Sequence, residues 1–525
     1  MIFFIKKNLI FFYIVATCVS IWVIKIAFLG VNTFPSGDNL TYASIARSII
    51  ENSSISHISA LPSDIHTLGD FPKYDVNQNI GLSIFLVPFF IIFGANNLAI
   101  MLSSLVLYIV NALLIFIVSD KLFDKKIAIA STYIFIFSSS YYHYIGSGLT
   151  EPLLISILMV IGYVQFFITN KYKGALVGTL IYALYLTKSG LAIFIFPYFI
   201  VHWFLYEDRS FKYIFGIAIT FIILSIPLML RNILLDVSTY SHKSGLIDLV
   251  FNSTKDKSFW YFGLRSLEFP TEWLDPSKYL FENYTIYIKR YATTLYSLYL
   301  KMYGANYLFS GSILFCAYLL VQSKNRLESV FKLFTLGILG LLILGFSIGW
   351  PIERYLLPVA PFLIIAIASY AVPRITCGKK SYTIILLLVA MQIPWVGFLI
   401  KDIYSYDSQV DYAQLGDFVV NNTKNEDILI SNAPVLVGWY SNRKSILYPN
   451  NISEIDDLNR INPKINTIIL TKELKTLFRN NVNQSLWDDI YNNQSQKIGA
   501  QFCLTGVYIN KRNTYSALLY KLCKE

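Results

Sequence analysis

The sequence predicts an α-helical polytopic membrane protein of about 11 transmembrane helices, followed by a C-terminal extracytoplasmic α/β domain. Three observations carry this prediction. Of 525 residues, 55% are hydrophobic and only 14% are charged, against roughly 25% in ordinary soluble proteins. Long charge-free stretches recur through the first 400 residues, where a span needs about 20 apolar residues to cross the hydrocarbon. Near Lys401 the pattern changes to short, alternating helix-like and strand-like segments. A disordered chain, a nucleic-acid-binding module and a set of ordinary cytosolic domains are excluded.

Residues 8–30 are apolar apart from Lys25, follow Lys6-Lys7 and lack a small-residue cleavage site, so they read as a retained first helix. Lys25 is expected to snorkel to the far interface. Charge-free runs follow at 96–119, 127–149, 152–170, 174–187, 189–206, 213–230, 302–323, 333–352, 355–373 and 381–400. Residues 80–94, with Pro88 inside, are too short to cross and read as a partial or re-entrant segment.

The net charge of +11 tests the threading. The last 125 residues carry only +1 of it, so the excess belongs to the membrane part. With the N-terminus in the cytoplasm, the inner segments 1–7, 120–126, 171–173, 207–212, 324–332 and 374–380 each hold at least two Lys or Arg, as the positive-inside rule requires. That orientation, in an inner or plasma membrane, puts the loops 31–79 and 231–301 outside, together with the tail. The expected division is a membrane domain over 1–400 and a soluble domain over 401–525.

In the tail, the periodicity predicts a helix at 409–421, strands near 427–431 and 466–471, a helix at 473–491, and strands at 500–509 and 515–523. A hairpin centred near residue 512 brings Cys503 and Cys523 close to opposite. In an oxidising compartment that pair has two outcomes, a disulfide or two buried thiols. The five cysteines show no metal-ligand spacing.

Chemistry concentrates where spans meet the outer loops. Asp38 precedes a stretch whose Tyr42, Ile45, Ala46, Ile49 and Ile50 share one helical face, which suits an amphipathic helix along the interface. An Asp there serves as an N-cap, as a general base, or as both. Lys73 and Tyr74 in the same loop suit a lipid phosphate or an ordinary interface pair. Glu151 lies at a helix mouth, either functional or part of a helix start capped by Thr150 with Pro152 in the first turn. Tyr141, Tyr142, His143 and Tyr144 beside it read as an aromatic belt. Lys188, Arg231 and Arg354, the last followed by Tyr355, sit at span ends on the same face. Several cations converging with two carboxylates point to an anionic, membrane-borne substrate. His57 and His66, nine apart in one loop, could ligate a divalent cation or be solvated loop histidines, and the sequence indicates no cofactor.

The order of Asp38, Tyr42 and Ala46 in a first outer loop, then Pro88 and Gly94, a short Glu loop, "LTKSG", "RN" and "ERYLLPVAP", resembles the GT-C superfamily of polytopic glycosyltransferases. The resemblance is nearest to the protein O-mannosyltransferases and the lipid A aminoarabinose transferases, and it covers residues 1–400. The oligosaccharyltransferase signature "WWDYG" is absent. The resemblance implies inverting transfer of a sugar from a polyprenyl-phosphate carrier to a lipid, glycan or protein acceptor on the extracytoplasmic face. By it, Asp38 deprotonates the acceptor, Lys73 and Tyr74 lie near the donor phosphate, and Arg354 stabilises the leaving phosphate. Asn39 stands where the protein mannosyltransferases often carry a second acid, a role that either passes to Glu151 or is missing. Two rivals remain, a flippase for a lipid-linked glycan and an envelope scaffold. The expected partners are the lipid donor, its acceptor and membrane lipids, with no nucleic acid.

Overall fold

The computed structural model describes residues 2–29, 37–72, 79–138, 141, 144–206, 210–234, 317–348, 353–375, 412–472, 484–499, 501–509 and 516–523, with isolated positions between 267 and 293 and at 400. The span expected at 302–323 falls largely outside these residues, and the span at 381–400 and the loop 231–301 fall almost wholly outside them.

The first two-thirds of the described chain is helical: α1 (Ile2–Leu29), α2 (Gly37–Asn52), α3 (Pro62–Leu68), α4 (Gly81–Phe93), α5 (Asn97–Leu122), α6 (Lys125–Ile136), α7 (Glu151–Phe167), α8 (Lys173–Thr187), α9 (Ser189–Tyr206), α10 (Phe211–Leu234), α11 (Arg326–Ile348), a 3₁₀ segment (Glu353–Val359) and α12 (Ala360–Ile375). Five segments among the described residues are long and apolar enough to cross a bilayer: Leu9–Ala27, Asn97–Leu122, Phe211–Arg231, Arg326–Leu344 and Leu356–Arg374. The protein is an integral membrane protein. Its helices bury one continuous core, from Ile14 and Cys18 on α1 through Phe116 and Leu158 to Phe334 and Phe362.

Helix ends follow local chemistry. Asn96 caps α5 by accepting from the Ala99 N–H at 3.0 Å, and Asp124 caps α6 by accepting from Lys126 and Ile127 at 2.8 and 2.9 Å. The run 127–149 does not form one span as expected. Its helix stops at Ile136, turns follow at 144–147, and Gly146 and Gly148 take positive φ of 84° and 68°. Two left-handed glycines cannot continue a right-handed helix. The 80–94 segment is α4, 13 residues long and too short to span, as its length predicts.

Lys25 corrects a second expectation. It is 3% exposed, turned into the protein rather than along the lipid. Tyr141 corrects a third, because it is a core residue rather than part of an interfacial belt, stacked on Tyr108 at 5.3 Å and tilted against Phe135 at 4.6 Å.

The C-terminal part is a mixed sheet in the order β1-β3-β2-β4-β7-β6-β5. Its elements are α13 (Tyr412–Asn422), β2 (Ile428–Ser431), α14 (Pro434–Ser441), β3 (Ser445–Leu447), α15 (Ser453–Ile461), β4 (Ile465–Thr471), α16 (Gln484–Asn492), β5 (Lys497–Ile498), β6 (Phe502–Ile509) and β7 (Ser516–Leu522). Strands β2, β3 and β4 pair in parallel, and β4, β7, β6 and β5 antiparallel. Cys503 and Cys523 are joined as a disulfide.

One strand comes from far away. Strand β1 is Ser59–Ala60 of the first loop, paired in parallel with Ser445 and Ile446. Ile65 and Phe71 of the same loop are buried in the sheet's core beside Tyr448, Ile468 and Trp487. The first loop and the sheet are therefore one packed body on one end of the bundle.

Candidate active site

The site is assembled from the ends of helices on that face. Asp38 lies in the first turn of α2, exposed, where a carboxylate faces the positive end of the helix dipole. The helix starts at Gly37, two residues earlier than an N-cap role for Asp38 requires. Its neighbour Asn39 is 3% exposed and donates from Nδ2 to the Ser147 carbonyl at 2.5 Å. Tyr42, Ile45 and Ala46 are buried, but so is every residue from Asn39 to Ala46, while Ile50 of the predicted face is 38% exposed, because α2 packs on α4 and α14 with Leu40, Ala43, Leu86, Phe90 and Trp439 in one cluster.

The turn at 144–150 holds α2 on its other side. Gly148 donates its N–H to Ser104 Oγ at 3.0 Å, and a Cβ added to it would collide with the Ile100 side chain and lie 3.5 Å from Asn39 Cβ. Three residues on, Glu151 opens α7 and is 2% exposed. Thr150 makes no capping bond, contrary to the sequence reading, while Pro152 does occupy the first turn. What fixes this helix start is Asn111 of α5, which donates to the Pro152 carbonyl at 2.9 Å and accepts from Ser156 at 2.7 Å.

Two cations stand where other helices meet the same loop, and one of them, Arg231, bonds to it. Lys188 ends α8, and the next residue, Ser189, donates its N–H to Asn79 Oδ1 at 3.1 Å. Gly81 presses so closely on this corner that a Cβ there would lie 2.8 Å from Thr187 Cα. Arg231, in the last turn of α10, donates to the Ile55 carbonyl at 3.4 Å. Thus Asp38, Glu151, Lys188 and Arg231 come from four helices whose ends the first loop gathers.

Lys73 and Tyr74 lie outside the described residues. Arg354 and Tyr355 lie on the 3₁₀ segment, which packs against α7, the helix that Glu151 opens. His57 is engaged locally, its Nδ1 2.7 Å from Ser59 Oγ, and His66 is exposed on α3. Among the described residues no group of three or more His, Cys, Asp or Glu is assembled for a metal ion.

Sequence reading missed the seam between loop and sheet. Arg47 of α2 donates to the carbonyls of Trp439 and Ala95, each at 3.2 Å, and to Asn442 Oδ1 at 3.3 Å. Its guanidinium carbon stands 3.7 Å over the Trp439 ring. Burial pushes this guanidinium below its usual range, and Glu51 one turn on acts in the opposite direction. The opposite end of the bundle carries cations packed on aromatic rings: Lys121 donates to Tyr163 at 2.7 Å, and Lys332 lies 4.5 Å from the Tyr318 ring centre.

No family model matches the sequence, and no curated protein is significantly similar to it. Solved structures do share the fold. ArnT from Cupriavidus metallidurans bound to undecaprenyl phosphate is similar with a TM-score of 0.55 at 9% identity, over 97% of this chain and 98% of that one. The apo state of ArnT gives 0.54 at 10% identity, over 97% of each chain. The apo oligosaccharyltransferase of Archaeoglobus fulgidus gives 0.53 at 9% identity, over 89% of this chain and 70% of that one. These are glycosyltransferases of the GT-C superfamily, and their likeness gives this chain the GT-C fold.

Proposed function

We propose that the protein is an inverting membrane glycosyltransferase that moves a sugar from a polyprenyl-phosphate carrier to an acceptor hydroxyl on the extracytoplasmic face. The observation that carries this reading is the GT-C fold, shared over nearly the whole chain with ArnT bound to undecaprenyl phosphate; Asp38, Glu151, Lys188 and Arg231, at or beside helix ends, are the residues assigned to the site. ArnT bound to undecaprenyl phosphate, over nearly its whole length, supports a lipid-phosphate donor. The division into a membrane domain, 1–400, and an extracytoplasmic domain, 401–525, belongs to the same proposal. The basic inner segments and the Cys503–Cys523 bridge support that orientation.

The chemistry asks little of the protein. The acceptor oxygen attacks the anomeric carbon while the bond from that carbon to the phosphate oxygen breaks. Asp38, exposed at a helix start, takes the acceptor proton, a role worth about 10²- to 10⁴-fold. Glu151 is the second acid. Lys73, Tyr74, Lys188, Arg231, Arg354 and Tyr355 form the set that holds the departing lipid phosphate, where fixed positive charge offsets charge that develops in the transition state. The donor in this reading is a lipid phosphate and not a nucleotide, so no phosphate-cradling glycine loop is needed.

The test is to incubate the purified protein with a panel of polyprenyl-phosphate sugars and follow release of polyprenyl phosphate. Turnover with loss of the sugar from the lipid supports transfer. Movement of an intact lipid-linked sugar across proteoliposomes, without cleavage, would instead make the protein a flippase.

A further inference from the structure

Away from the residues assigned to the candidate active site, the sheet domain carries a cavity of about 440 Å³, a size usual for small-molecule sites. Helix α13 covers the sheet face that bears Leu429, Ile469 and Leu519. Thr467 and Lys521, each two residues away from that apolar patch, stand opposite one another in the β4–β7 ladder and so continue the same face past the helix end. The chain from Asn421 to Lys424, where the helix ends, forms the other wall, with Asp427, Asn466 and Leu522. Leu522 is the one apolar side chain in this lining, so the cavity offers no surface to a hydrocarbon ligand.

The walls have spent their acceptors. Asn422 donates to the Phe418 carbonyl at 2.8 Å and Thr423 to the Val419 carbonyl at 2.7 Å, which covers carbonyls left open at the helix end. Arg443, 7% exposed, donates to the Thr423 carbonyl at 3.4 Å and to its hydroxyl at 3.3 Å. Asp427, 6% exposed, accepts the Lys424 N–H at 2.7 Å on one oxygen and Asn466 Nδ2 at 2.6 Å on the other. Asn466 Oδ1 in turn accepts from Thr467 at 2.9 Å. What remains is rich in donors. The ammonium groups of Lys424 and Lys521 make no hydrogen bond or ion pair among the described residues. The strand end that carries Lys521 is held in place, because its ladder partner Cys503 is bridged to Cys523.

We propose that this cavity binds an anionic saccharide, whose carboxylate or phosphate meets Lys424 and Lys521 and whose hydroxyls pair with the amides of Asn421 and Asn422. Hydroxyls both donate and accept, as carboxamides do, while an ammonium facing an oxyanion makes a hydrogen bond about twice as strong as a neutral one. The preference for an anion rests on the cavity alone. The saccharide class rests on the transferase reading above, for which an acidic glycan held beside the membrane domain is an acceptor.

The experiment is a ligand-observed NMR titration of the full-length protein in detergent with glucuronic acid, glucose 6-phosphate, glucose and inorganic phosphate. Wild type is compared with Lys424→Gln, Lys521→Gln and the double variant. We expect at least one of the two sugar anions to bind, and which one binds tells carboxylate from phosphate. Glucose should bind about tenfold more weakly or less, and each glutamine should weaken the anion about tenfold, the worth of one charge-assisted hydrogen bond. Melting midpoints of the variants should match wild type, because neither ammonium holds a described part of the fold. Failure of wild type to bind either sugar anion overturns the proposal, and so does glucose binding as tightly as the anions. Inorganic phosphate binding as tightly as glucose 6-phosphate, or wild-type affinity in the double variant, overturns it as well. Titration needs no turnover, so a protein that cleaves no lipid-linked donor loses the transferase reading while these affinities still decide the site.

Discussion

Replacing Gly148 by alanine tests the corner on which α2 and α7 meet. Gly148 has φ of +68°, and a methyl group there would run into the Ile100 side chain, which is 4% exposed and has no room to swing away. Two costs add. A non-glycine residue in the left-handed region costs about 1–2 kcal/mol, and forcing a methyl into a packed site costs about 1–3 kcal/mol. The sum, about 2–5 kcal/mol, is to be read as a fall of a few degrees in the unfolding midpoint at fixed scan rate, because a membrane protein of this size is best compared kinetically. A cycle with Ile100→Ala separates the terms. In the Ile100→Ala background the steric part vanishes, and only about 1–2 kcal/mol of backbone cost remains. An unchanged midpoint for Gly148→Ala would refute the geometry, and so would a cost that ignores residue 100.

Gly81→Ala should behave similarly, since its Cβ would lie 2.8 Å from the backbone of Thr187, and it should lower both thermal stability and turnover by displacing the Lys188 corner. Alkylation without reduction should leave Cys503 and Cys523 unlabelled in intact mass spectra. Breaking that 20-residue link should destabilise the C-terminal domain by about 3 kcal/mol in denaturant titrations. Tyr520 is buried in the sheet with its hydroxyl unpaired among the described residues, and burial pushes it up to about 12. Folded and unfolded states are both protonated below pH 10, so this group makes stability independent of pH there. Above pH 10 the unfolded chain ionises first and stability falls until about 12. Tyr520→Phe should abolish that alkaline loss in melting curves and be neutral or stabilising at pH 7, because no hydrogen bond is lost.

The membrane part was legible because a lipid environment forces composition: runs such as 96–119 and 213–230 admit little but a helix. Periodicity also found α2, whose Tyr42, Ile45 and Ala46 are buried. What it could not find was which partner each face meets. Lys25 has no sequence mark that separates a snorkelling lysine from one turned inward, and Tyr141 looks the same in a belt as in a core. The run 127–149 was read as continuous because it is uncharged, although Gly146 and Gly148 were the signal that it turns. In the tail, β2, β4, β6 and β7 were visible as alternating or apolar runs, whereas α14, β3 and α15 were too short to stand out. Strand β1 has two residues and exists only through pairing with a segment nearly 400 positions away. Local pattern carries no trace of such a contact, and the Arg47–Trp439 joint was hidden for the same reason. Charge at helix ends, by contrast, is visible in the sequence: Asp38, Glu151 and Arg231 lie in the first or last turn of a helix and Lys188 just past the end of one.

The central claim is that Asp38 removes the acceptor proton during transfer from a lipid phosphate. Single-turnover cleavage of a polyprenyl-phosphate sugar, in the presence of acceptor-containing membrane extract, tests it by comparing wild type with the near-isosteric Asp38→Asn. The account predicts that the rate falls by about 10²- to 10⁴-fold while donor binding is retained. Transfer by Asp38→Asn at the wild-type rate would contradict it.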